Sequence, residues 1–191
     1  MILLLIAAIL FMFILGQMSP YRGTYVINKG SHNHNRYLFM WPKLIFWKPK
    51  NTIKISANVR FQDSCRYNLA YPDNLDINKL LGLSYLNIHK NSVRIGWRYE
   101  LKTDDIKVFI YRYQDGKRIL NQICNVGINE LIKINLSMNE SIVSVKIDST
   151  QGIKYIELPV QYNHTYFLYT TNLYFGGNQP SPSKIKIDIF K

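Results

Sequence analysis

The chain has 191 residues, with 24 Lys and Arg against 12 Asp and Glu, a formal charge of +12. This excess favours anionic partners (nucleic acid, anionic lipid headgroups or acidic polysaccharide) and leaves few carboxylates for acid chemistry. An AT-rich genome also loads proteins with Lys, Ile, Asn and Tyr, all plentiful here.

Residues 1–18 are the firmest signal in the chain. Ile2 to Leu15 is apolar without a break. It is short for a bilayer span of about 20 residues and suits the core of a signal peptide, roughly 7–15 residues. The exit Gly16-Gln17-Met18-Ser19 is not a clean small-x-small cleavage site, and no positive residue precedes the run. The expectation is an N-terminal hydrophobic helix serving as signal or membrane anchor, with residues 2–18 contacting the membrane. Cleavage and topology stay open, because Arg22, Lys29 and Arg36 follow the run. Localisation is to the cell envelope, anchored or exported.

Residues 19–51 read as a linker. His32 and His34 sit in its polar stretch, and two imidazoles without a third ligand make a weak metal site. A basic-aromatic segment follows, with Arg36, Trp41, Lys43, Trp47 and Lys48 placed to hold the domain against headgroups. Pro42 and Pro49 argue against a long helix there. The alternative makes Leu44, Phe46 and Trp47 a first edge strand.

Residues 52–191 read as one domain, large enough for its own core. A short helix is expected at Leu75 to Leu81, capped by Asp73 or Asn74. Strands are expected at 53–61, 93–101, 105–113, 117–126, 130–137, 141–148, 153–161, 165–175 and 184–190. In 93–101, Val93, Ile95, Trp97, Tyr99 and Leu101 share one face and Arg94, Arg98 and Glu100 the other. Asp115-Gly116 is the strongest hairpin signal, since a tight turn needs positive φ. Many short strands joined by turns give an all-β antiparallel sandwich. Cys65 and Cys124 allow one disulfide at most, and buried inert thiols are the favoured reading.

Two segments, Leu81 to Arg98 and Leu173 to Pro182, resemble uncharacterised jelly-roll proteins of Bacteroidetes and their crAss-like phages. The tail, with Phe175-Gly176-Gly177-Asn178, also resembles the last strands of concanavalin-like, lectin-like sandwiches in glycan-binding proteins and polysaccharide lyases. The resemblance covers about residues 52–190 and implies a jelly-roll sandwich. Where such tails continue Ala-Pro-His, this chain has Ser181-Pro182-Ser183, so that histidine has no counterpart.

The residues give no reaction. There is no Gly-x-Ser-x-Gly elbow, phosphate loop or His-Glu-x-x-His, and no facing carboxylate pair for a glycosidase. Asp73, Asn74 and Asp76 are explained more cheaply by capping than by calcium. No cofactor is expected. The reading is a non-catalytic module for acidic glycans: Arg94 and Arg98 take an anionic group, Tyr111 and Tyr113 stack, and His89 and Asn178 hydrogen-bond from loops. One alternative is a structural phage or membrane protein whose sandwich docks a protein partner. Another is a polysaccharide lyase. Nucleic acid ranks below these.

Overall fold

Alternating apolar and polar residues organise the chain into strands, and turn chemistry separates them. The computed structural model describes residues 23–35, 44–46, 51–85, 87–160 and 167–190. In chain order the strands are β1 (Gly23–Ile27), β2 (Leu44–Phe46), β3 (Ile53–Phe61), β4 (Asn78–Ser84), β5 (Ser92–Glu100) and β6 (Asp105–Gln114). Then come β7 (Lys117–Gly127), β8 (Leu131–Met138), β9 (Ile142–Ser149), β10 (Gly152–Pro159), β11 (Phe167–Thr171) and β12 (Ile185–Phe190). They form two antiparallel sheets, ordered β1-β12-β3-β8-β9-β10 and β2-β11-β4-β5-β6-β7. The fold is a β-sandwich.

The core lies between the sheets. From the first come Tyr25, Ile55, Val59, Phe61, Ile132, Ile134, Val145 and Ile187; from the second, Leu83, Val93, Ile95, Trp97, Ile106, Val108 and Ile110. Trp97 meets Phe61 across the gap at 5.2 Å between ring centroids. Full burial of each aliphatic side chain contributes about 1.5–3 kcal/mol, so this interface holds the sheets together. The Asp115-Gly116 turn has the geometry its sequence implies, with φ of 50° and 80°, as a two-residue hairpin loop requires.

Three expectations are corrected. The helix at Leu75 to Leu81 is absent: a single 3₁₀ turn spans Asp73–Leu75, and β4 begins at Asn78. The helical appearance comes from Ile77, Leu80 and Leu81 at i, i+3, i+4 spacing. The leucine pair is a bulge in β4, where the register skips from Lys79 to Leu81 and both leucines are fully buried.

The linker at 19–51 also contains structure. β1 pairs with β12, and β2 pairs with β11 at a sheet edge, the alternative weighed for Leu44 and Phe46.

Nor is the stretch around the two histidines solvated linker. Phe175 N–H donates to His32 O at 2.8 Å, Ser181 N–H donates to Ser31 O at 3.0 Å, and His34 is buried edge-on to Tyr25.

The expected N-terminal helix and its membrane contact at 2–18 lie outside the described residues, as do Arg36, Trp41, Lys43, Trp47 and Lys48. No helix among the described residues is long and apolar enough to cross a membrane. Of the 24 basic residues, 18 belong to the described segments together with all 12 acidic ones, so half of the +12 charge lies elsewhere in the chain.

Cys65 and Cys124 are free, buried thiols. Burial raises the pKa of both, that of Cys124 to about 11, which leaves them protonated and unreactive.

Candidate functional site

The outer face of the second sheet carries the chemistry. Residues opposite one another in antiparallel strands share a face, so the register gives its rows directly. One row runs Leu44, Tyr169, Ser84, Ser92, Tyr113, Arg118. The next runs Thr171, Gly82, Arg94, Tyr111, Leu120, and a third Lys79, Gly96, Phe109, Gln122. Central strands β4 and β5 supply Ser84, Gly82, Ser92 and Gly96, while the flanking strands supply rings. Small residues between large ones make a trough, and Arg94 lies in it.

Gly82 is what lets Arg94 lie there. A Cβ at Gly82 would fall 2.8 Å from Arg94 Cγ and would run into the Val93 carbonyl. The Arg94 guanidinium packs over the Tyr111 ring at 4.6 Å from its centroid and near Tyr113 at 5.7 Å. Arg94 is 5% exposed, and its buried Nε and Nη2 have no hydrogen-bond partner. Burial pulls its pKa below the ordinary guanidinium value.

Lys79 Nζ stands 4.9 Å from the same Tyr111 centroid and 5.8 Å from that of Tyr174. Burial, and then the Arg94 charge, lower the Lys79 pKa to about 8; Asp76 opposes the shift. Burial and the hydroxyl contact with Tyr113, at 3.4 Å, push Tyr111 up to about 12.

The Gly176-Gly177 pair builds the Lys79 side of the site. A Cβ at Gly176 would overlap Lys79 Nζ, and one at Gly177, where φ is 129°, would overlap Asp76. Asn78 fixes the pair in place: its Oδ1 accepts from Gly176 N–H at 2.8 Å, and its Nδ2 donates to Tyr67 OH at 2.9 Å. The opposite wall is the β4–β5 loop with Ile88 and His89. It is pinned to the β6–β7 turn, where Gly116 N–H donates to Lys90 O at 3.0 Å and Asp115 N–H to Asn91 Oδ1 at 2.9 Å. His89 meets Tyr113 edge-on at 5.4 Å.

The cleft so formed has a volume of about 380 Å³, and its lining includes Lys79, His89, Arg94, Tyr111, Tyr169 and Tyr174 but no Asp or Glu. With no Asp or Glu in the lining, Arg94 and Lys79 can receive an anion, and the rings and hydroxyls around them suit a polyhydroxylated ligand. Among the described residues no cluster of three His, Cys, Asp or Glu side chains could hold a metal.

The structure brings His89, Arg94, Tyr111 and Tyr113 together. It does not bring Arg98 or Asn178 to them. Arg98 shares the face, but Ile77 packs over Gly96 between the two arginines. Arg98 donates to Leu75 O at 3.3 Å, faces Glu100 at 3.7 Å and lies over Phe109. Asn178 is exposed on the loop beyond Gly177 and does not line the cleft. Sequence reasoning missed Lys79, Gly82, Tyr169 and Tyr174. The double glycine was a usable signal, since glycine is the residue that allows a close approach of backbone to a neighbouring group.

No protein-family model matches the chain, and no curated protein matches it. Solved structures resemble it in fold. An alginate lyase from Klebsiella pneumoniae superposes with a TM-score of 0.56 at 8% identity over 73% of this chain. The chain spans only 57% of that enzyme. The alginate lyase AlyC3 gives 0.55 at 9% identity, covering 90% of this chain and 88% of the enzyme. The CBM2 module of the evolved Dit from Lactobacillus casei BL23 phage J-1 gives 0.51 at 9%, covering 91% and 80%. At such identities the likeness is one of fold.

Proposed function

We propose that the chain is a jelly-roll module that binds acidic glycans in this cleft without cleaving them, tethered to or exported through the cell envelope by its N-terminal apolar segment. The observation that carries the reading is Arg94: a buried guanidinium with Nε and Nη2 unpartnered, beside Lys79, in a cleft without carboxylates. A protein keeps such a charge at a cost in stability, and a carboxylate ligand offsets it with paired hydrogen bonds. The fold of the alginate lyases and of the phage carbohydrate-binding module supports a glycan as the ligand class. Tyr111 holds its proton to about pH 12, which makes it a poor general base and favours binding over elimination.

Calorimetry with oligouronates and with neutral oligosaccharides of equal length tests the reading. Binding of the acidic series alone, lost in Arg94→Met, is the expected result. Equal binding of both series would overturn the anionic ligand. Absorbance from unsaturated sugar ends during incubation would overturn the absence of catalysis.

A further inference from the structure

The cation pair is not the whole of the recognition surface. Two ring pairs stand at opposite ends of a diagonal that passes through it. At one end Tyr113 meets His89, with Tyr113 half-buried on β6 and His89 exposed on the β4–β5 loop. At the other end His32 and Tyr174 stack face to face, with centroids 5.2 Å apart and planes 8° from parallel. Tyr174 bridges to Lys79 on the side away from β5, and the adjacent residue of the histidine segment, Asn33, bridges to Tyr174. The His32 ring is fixed, since its Nδ1 lies 2.8 Å from Phe175 O and must carry the proton that the carbonyl accepts. Tyr174 is 36% exposed although it is rigidly placed.

The order along the diagonal is therefore Tyr113 with His89, then Arg94, then Lys79, then Tyr174 with His32. Its span follows from the sheet. From β6 to Tyr174 is three strand spacings, and from Tyr113 back to the level of Lys79 is four residues, which together give about 20 Å. Such a line is too long for one sugar ring and fits several. It is polar-aromatic at both ends and cationic in the middle.

We infer that the site recognises the interior of an acidic oligosaccharide chain, with Arg94 and Lys79 taking the carboxylates of central residues and Tyr113 and Tyr174 stacking under the rings on either side. This rests on the acidic-glycan reading and adds chain length to it. Both ends are accessible: His89 is exposed at one and Tyr174 at the other.

The test is a length series of oligogalacturonates and oligomannuronates, from one to six units, titrated into the full chain. Affinity is expected to climb at least about tenfold from the monosaccharide to the longer members, and Tyr174→Ala and Tyr113→Ala should each remove most of that climb. Affinity independent of length in the unmodified chain overturns the inference without touching the acidic-glycan reading, and needs no variant to fold. A climb that survives in both tyrosine variants also overturns it. No binding at any length overturns the acidic-glycan reading itself, and the inference with it.

Discussion

Arg94 and Arg98 stand on one strand, on one face, a single turn of alternation apart from being neighbours, and the structure treats them in opposite ways. Arg98 is answered: Glu100 and the Leu75 carbonyl face it, and Lys107 pairs with the same Glu100. Arg94 is more deeply buried and has only aromatic faces beneath it. A charge with local partners is part of the scaffold. A buried charge without them is the one the proposed ligand would answer. The contrast teaches that residue type and strand parity select candidates, and that pairing decides between them.

The sharpest way to break the contrast is to neutralise each arginine in turn. Arg94→Met should cost 2 kcal/mol or more of oligouronate binding, by the scale of about 2–5 kcal/mol for a buried hydrogen-bonded charge. It should also raise the thermal midpoint, because an unpaired buried charge gives way to an apolar chain of similar length. A loss of binding with a lowered midpoint would point to a structural arginine instead.

Gly82→Ala attacks the same end through the backbone. It should destabilise the fold by about 2 kcal/mol, as overpacking in a central strand does, and displace Arg94. Unchanged stability by denaturant titration would show that the strands part without cost.

Lys79 sharpens the comparison through pH. Its pKa is depressed in the folded chain, from an ordinary 10.5 to about 8. Between those values the unfolded chain binds the extra proton, so stability should rise with pH across that window. Binding of an acidic oligosaccharide should fall over the same range as Lys79 loses its charge, by about tenfold if one cation–carboxylate contact is lost. Opposite slopes in calorimetry and in denaturation, both flattened in Lys79→Met, are the expected signature; parallel slopes would assign the titration to another group.

The smallest effect belongs to Arg98→Met. It should change stability by less than about 1 kcal/mol, the range for a partly exposed ion pair, and leave glycan affinity where it was. A large loss of affinity would extend the site past Ile77.

How much of this could be read in advance depends on where each residue's partners lie. The alternation of β5 and β6 placed Arg94, Tyr111 and Tyr113 correctly, because face follows from parity and a hairpin keeps its strands together. β4 was misread because Leu80-Leu81 breaks parity at a bulge, and Ile77, Leu80 and Leu81 then fall at the i, i+3, i+4 spacing of a helix face. β1 was hidden by its brevity, five residues long, and β2, three residues long, was legible only as an alternative. Lys79 and Tyr174 were missed since their meeting joins segments nearly a hundred positions apart. Asn178 was chosen for its place in a familiar loop, while the work of that loop is done by Gly176 and Gly177, which contribute only the absence of a side chain.

The carboxylate-free lining of the cleft has one more consequence, for how attraction to polyanions is measured. Exposed lysines draw any polyanion from a distance, and that pull fades within a Debye length of about 8 Å at physiological ionic strength. Contacts inside the cleft are shorter than this and shielded from bulk ions. Adding salt to a binding assay should therefore strip away the diffuse attraction of a chain of charge +12 first. On the proposed reading, the affinity that persists at high salt is the part that belongs to Arg94 and Lys79.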